Sequence, residues 1–195
     1  MCPRNGGAVE TTHGSHVDCP GSHVRVVALN RAPHEHDLTL EAKQLDLSLL
    51  PAGVLADLYA YWLAKGNGGR LPGRADIDPL DLSWALGRLC LLEVLRNPLV
   101  FRYRLDGSMV ASHRGRDMTG RATDEVRPLA LANILREQYS QIATTGAPGY
   151  FEVHCARSTI SATYTTLALP LAADGVQVDM ILACALGTEA MYAFS

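Results

Sequence analysis

What this chain lacks narrows its identity before any motif is considered. No apolar run approaches the ~18 residues that a membrane span requires. The N-terminus has no signal-peptide core, because its longest apolar stretch, Val26 to Leu29, is too short for one. Cysteine is sparse: Cys2, Cys19, Cys90, Cys155 and Cys184 form no close pairs and are odd in number, which argues against a disulfide framework or a zinc site. Three of them lie in apolar, strand-like runs, where a thiol usually behaves as a small hydrophobe. Neither sign of charge dominates. The net charge is −3, so the basic footprint of a nucleic-acid binder is missing. No cluster of residues announces a reaction, and no catalytic or metal-ligating set can be named. The expectation is a cytoplasmic protein that binds neither nucleic acid nor membrane.

What is present is apolar mass, with hydrophobic residues making up 48% of 195 residues, enough for a core in one domain with extensions. The first 37 residues stand apart. They are rich in Gly, Ser, Thr and Pro and carry five of the seven histidines: His13, His16, His23, His34 and His36. A His-rich tract can scavenge metal. The irregular spacing and missing Cys partners favour a poorly ordered tail instead. Residues 38–87 read as a helical extension and joint, and residues 88–187 as the main domain.

The pattern becomes regular from Pro51. Val54, Leu58 and Tyr61 recur at helical spacing, Leu55 and Trp62 widen the apolar face, and Gly66, Gly68 and Gly69 end the helix. That face must cover the domain's own sheet or pair with a second subunit. The stretch LPGRADIDP, Leu71 to Pro79, reads as a joint. Asp78 can cap a short helix from Pro79 to about Leu86 or Gly87, and Arg74 can fork onto Asp76 or Asp78. Leu89 to Leu95 and Val100 to Leu105 look like a hairpin around Asn97-Pro98. In the second run Phe101, Tyr103 and Leu105 share one face, and Arg102 and Arg104 the other. A short helical stretch at Met109 to His113 and a compact connection, Gly115 to Arg121, follow. Pro128 to Thr144 is a second clear helix, with Leu131, Ile134, Leu135, Gln138, Tyr139 and Ile142 on one side. Three strands close the chain: Tyr150 to Ala156, Thr163 to Leu171 and, after a tight Asp174-Gly175 hairpin, Val176 to Leu186. This order predicts an α+β fold with a five-stranded antiparallel sheet, helices on one face and an N-terminal flanking helix.

The order of elements resembles a PAS domain. At residue level, Tyr61 to Leu82, the FRYRLDGS run and GRDMTGR, Gly115 to Arg121, are similar to an alphaproteobacterial family of single-domain PAS-like proteins of unknown function. The likeness covers roughly Leu50 to Leu186. Gly107-Ser108 replaces an expected Gly-Thr and keeps a small hydroxyl. The resemblance implies a sensory or regulatory module that holds a small ligand between sheet and helices, forms a homodimer through its flanking helix, and passes its signal to an unidentified protein partner, with no output domain of its own. It leaves the cofactor unknown. The flavin-photosensor helix with its reactive cysteine has no counterpart here. The Pro128–Thr144 helix carries no histidine, which argues against haem, although His113 and His154 remain as axial candidates.

Four residues are candidates for contact with a ligand. Tyr103 and Tyr139 sit on apolar faces and need partners for their hydroxyls, from backbone or from ligand. His113 is the third, and the loop residues Arg114, Arg116 and Asp117, which fix the turn, lie near the expected pocket mouth. His154 completes the set, although it shares a strand face with Glu152 and Tyr150, opposite the apolar Phe151, Val153 and Cys155. The alternative is a small pocket enzyme, an isomerase or hydrolase, with His154 or His113 as base beside Asp117 or Glu152. The two readings part on whether a histidine and a carboxylate converge inside one cavity.

Overall fold

The computed structural model describes residues 24–25, 38–66, 68–157 and 160–187. Most of the tail expected to be poorly ordered therefore lies outside the described residues, including all five of its histidines. Among the described residues, seven antiparallel strands form one sheet: β1 (Val24–Arg25), β2 (Leu38–Leu45), β3 (Leu89–Leu95), β4 (Val100–Asp106), β5 (Gly149–Arg157), β6 (Ile160–Leu171) and β7 (Met180–Gly187). Their spatial order is β1-β2-β5-β6-β7-β3-β4. The five expected strands are all there, and two more extend the β5 edge. β2 opens the segment expected to be a helical extension. It pairs with β5 along its whole length, Leu40 opposite Cys155 and Ala42 opposite Val153.

Helices cover both faces. On one, α1 (Val54–Lys65) buries Leu55, Leu58 and Trp62 against Leu167, Leu169 and Leu171 of β6. Trp62 Nε1 donates to the Pro170 carbonyl at 2.9 Å. Pro170 fits within this strand because β5 pairs no further than Ala168, so its missing N–H costs no ladder bond. The apolar face of α1 thus covers the domain's own sheet. On the other face lie α2 (Ser108–Arg114) and α3 (Leu129–Thr145). α3 turns Ile134, Leu135, Gln138, Tyr139 and Ile142 inward, as its periodicity predicts.

Three local expectations need correction. The short helix from Pro79 is a string of three-residue turns, Leu82 N to Pro79 O, Ser83 N to Leu80 O and Ala85 N to Leu82 O, followed by a 3₁₀ turn at Leu86–Arg88. The buried side chains Leu82 and Ala85 are three apart, the 3₁₀ period. Asp78 does cap it, accepting from Leu80 N at 2.9 Å. Arg74 does not fork onto a carboxylate. It donates to the Ile77 carbonyl at 2.8 Å, while Asp76 accepts from Gly73 N. The turn at Asp174-Gly175 belongs to a longer loop, because Asp174 Oδ1 accepts from both Val176 N and Gln177 N and delays β7 to Met180.

Candidate functional site

The face beneath α2 and α3 does not close into one core. One apolar cluster centres on Phe101, Tyr103, Met118 and Ile181, and another on Leu40, Val153, Cys155 and Tyr164. Between them β7 presents Ala183, Ala185 and Gly187, side chains too small to fill the gap. The result is a cavity of about 90 Å³. β2 (Leu38, Leu40), β6 (Tyr164, Thr166), β3 (Cys90) and β4 (Tyr103) contribute its sheet wall. Val110, His113 and Arg114 of α2 and Leu131, Leu135 and Tyr139 of α3 roof it, with Arg127 and Pro128 at the start of α3. A second hollow of about 120 Å³ adjoins it and shares Val110, His113, Ala185 and Gly187.

A β-bulge sets the chemistry at one end. Leu91 pairs with Leu105, but Leu92 pairs with Tyr103, so Arg104 has no partner of its own. The extra residue inverts the alternation. Leu105, expected beside Phe101 and Tyr103, points outward and is 43% exposed, while Asp106 turns inward. Its carboxylate receives Arg114 Nη1 at 2.6 Å, Met118 N at 3.0 Å and Cys90 Sγ at 3.2 Å. The Arg114 guanidinium lies 5.3 Å from the centre of the Tyr103 ring. This ion pair is buried, with no exposure at the Asp106 side chain and 13% at Arg114. Replacement of either partner leaves a buried charge uncompensated, at a cost of about 3–5 kcal/mol.

Two tyrosine hydroxyls are anomalous. Tyr103 and Tyr164 are 1% and 8% exposed, both line the cavity, and neither hydroxyl has a hydrogen-bond partner among the described residues. The Tyr139 hydroxyl interacts with that of Tyr103 but does not reach bonding geometry. Burial drives the phenol groups of Tyr103, Tyr139 and Tyr164 up from their ordinary 10.0, so all three are neutral and can donate. Burial, reinforced by the Asp106 charge, pushes the Cys90 thiol up to about 12, far from a nucleophile.

Of the four candidates, the structure brings Tyr103, His113 and Tyr139 to the cavity. His154 stays outside. It is exposed on the opposite face of the sheet, where its Nδ1 lies 3.1 Å from Thr163 Oγ1. The carboxylates proposed to assist a base are also elsewhere. Asp117 is exposed and accepts from Thr119 N, and Glu152 binds Lys43 at 2.6 Å on the His154 face. Among the described residues no group of His, Cys, Asp or Glu is placed to hold a metal ion, and no helix is long and apolar enough to cross a membrane. Sequence reasoning missed Tyr164, Asp106 and Cys90, and placed Arg114 at the pocket mouth as a residue that fixes the turn, without its buried partner Asp106. The alternation in β4 places Asp106 with the outward arginines unless the bulge is foreseen. β6 is apolar on both faces, so its pattern does not reveal which way Tyr164 points.

Against known families, a family model described as PAS domain aligns with residues 52–186. No curated protein and no solved structure matches the chain.

Proposed function

The chain belongs to the PAS domain family of sensory and regulatory modules, and on that premise we propose that it binds a small molecule in the cavity between its sheet and α2 and α3. The observation that carries this reading is the pair of unpartnered hydroxyls on Tyr103 and Tyr164. A buried polar group without a partner costs about 1–3 kcal/mol. A fold that places two of them on one cavity wall is supplied with donors for a guest. The volume limits what that guest can be. By the same measure one water needs on the order of 10–15 Å³, so about 90 Å³ admits several small groups. A flavin or a haem would require side chains to move.

The reading is tested by native mass spectrometry of the freshly purified full chain beside its Ala185→Leu variant, whose larger side chain projects into the cavity. A co-purifying small mass on the wild type and not on the variant supports it. A bare wild-type mass, with no binder in a ligand-observed NMR fragment screen, overturns it.

Self-association belongs to the same proposal. Trp62, the first candidate for a dimer contact, is consumed by the sheet. Leu80, 82% exposed, and Trp84, 42% exposed, remain on the joint that Tyr61 and Lys65 tie to α1 through Asp81. Light scattering of wild type and Leu80→Glu tests this. A wild-type monomer at tens of micromolar would remove dimerisation from the account.

A further inference from the structure

We propose that the cavity selects an amphipathic organic acid, with its carboxylate toward Arg127 and the start of α3 and its apolar body along Leu38, Leu40 and Leu135. The inference rests on the reading of the cavity as a ligand site and adds its chemical class.

The first observation is the sign of the wall. Among the described residues the charged side chains that line the cavity are Arg114 and Arg127, and no aspartate or glutamate does. Asp106 neutralises Arg114 from behind, outside the lining, and uses one guanidinium nitrogen, Nη1. Arg127 is different. Its Nη1 donates to the carbonyls of Asp124 and Val126, and among the described residues no carboxylate pairs with it. Arg127 is exposed at the rim of the cavity, with no counter-charge among the described residues.

The second observation is α3 itself. Pro128, its N-cap, and Leu131 line the cavity, and this 17-residue helix has neither a side-chain cap nor an acidic residue in its first turn. Its positive end favours a negative group there. The third is the hydrogen-bonding bias. Tyr103 and Tyr164 both line the cavity, their buried hydroxyls are unpartnered among the described residues and protonated, and a carboxylate accepts without donating. Wall charge, helix polarity and free donors all favour an acceptor anion, while the leucines favour an alkyl chain.

The experiment titrates the full chain with straight-chain carboxylates from butyrate to octanoate and with the matched primary alcohols, at pH 7 and fixed ionic strength. The expected result is an acid that binds at least about tenfold tighter than its alcohol. Arg127→Gln should reduce that preference and Arg127→Lys should retain most of it. Should Arg127→Gln not fold, ionic strength decides in the wild type: acid affinity must fall with added salt and alcohol affinity must not. Equal binding of acid and alcohol, or a preference unchanged in folded Arg127→Gln, overturns the acid inference and leaves the ligand site standing. Binding by neither series, with no co-purifying mass, overturns both.

Discussion

Replacement of Tyr164 by Phe should make the ligand-free protein more stable, the reverse of what loss of a buried tyrosine hydroxyl usually does. The usual hydroxyl is hydrogen-bonded, and its removal costs about 0.5–1.5 kcal/mol. The Tyr164 hydroxyl is buried without a partner. Phe keeps the ring packed against Val153 and Cys155 and deletes only the oxygen. The desolvation penalty removed is about 1–3 kcal/mol. With a small deduction for the dispersion attraction that the oxygen itself made, the expected net gain is about 1–2 kcal/mol. For a domain of this size that corresponds to roughly 2–8 °C in melting temperature. The assay is urea and thermal unfolding of protein refolded from denaturant to strip any guest. Tyr61→Phe is the control of opposite sign, because the Tyr61 hydroxyl donates to Asp81 and accepts from Asp78 N. It should lose stability. A Tyr164→Phe protein as stable as wild type, or less so, would refute the reasoning, because the hydroxyl would then be satisfied. Tyr103→Phe should show the same gain at smaller size, since Tyr139 stands near its hydroxyl.

Three further outcomes follow from the same structure. Asp106→Ala should cost about 3–5 kcal/mol by leaving the Arg114 guanidinium buried without a counter-charge, and a loss under about 1 kcal/mol in urea unfolding would show the pair to be solvated. Gly107→Ala should lower the melting temperature markedly, because a Cβ there falls 2.5 Å from the Gly87 carbonyl oxygen and 2.7 Å from that of Leu89; overpacking of this kind costs about 1–3 kcal/mol or more, and a wild-type melt would contradict it. Alkaline stability should depend on the buried thiols. Burial raises Cys90 and Cys184 from 9.0 up to about 12. The unfolded chain releases these protons first, so the stability they contribute is complete below about pH 9 and is lost as pH rises toward about 12. Cys184→Ala should flatten the decline between about pH 9 and about pH 10 by up to about 1.4 kcal/mol per pH unit, and an unchanged slope would count against the thiol.

The parts of the fold visible in the sequence are those governed by one dominant period. β3 and α3 emerge at nearly their expected bounds, since Leu89 to Leu95 is a near-continuous apolar run and α3 keeps a single apolar stripe. β2 escaped notice because Glu41 and Lys43 interrupt its outer face and its pairing partner lies over a hundred residues away. The candidate site was half legible. Tyr103 and Tyr139 stand out as hydroxyls on apolar faces. Asp106 depends on a one-residue bulge, which no hydrophobic pattern encodes. Tyr164 depends on the parity of a strand with two apolar faces, which β7 and α1 settle from outside. His154 shows the opposite case: the faces of β5 were read correctly, and they place that histidine away from the cavity.

The central claim is that the cavity beneath α2 and α3 is built for a guest held by the Tyr103 and Tyr164 hydroxyls. A crystal structure of the full chain, purified without a refolding step, tests it most directly. The account predicts an organic molecule between the sheet and α3, with a polar atom within about 3.2 Å of at least one of the two phenolic oxygens. Both hydroxyls bonded to protein groups, with side chains closing the space, would contradict it.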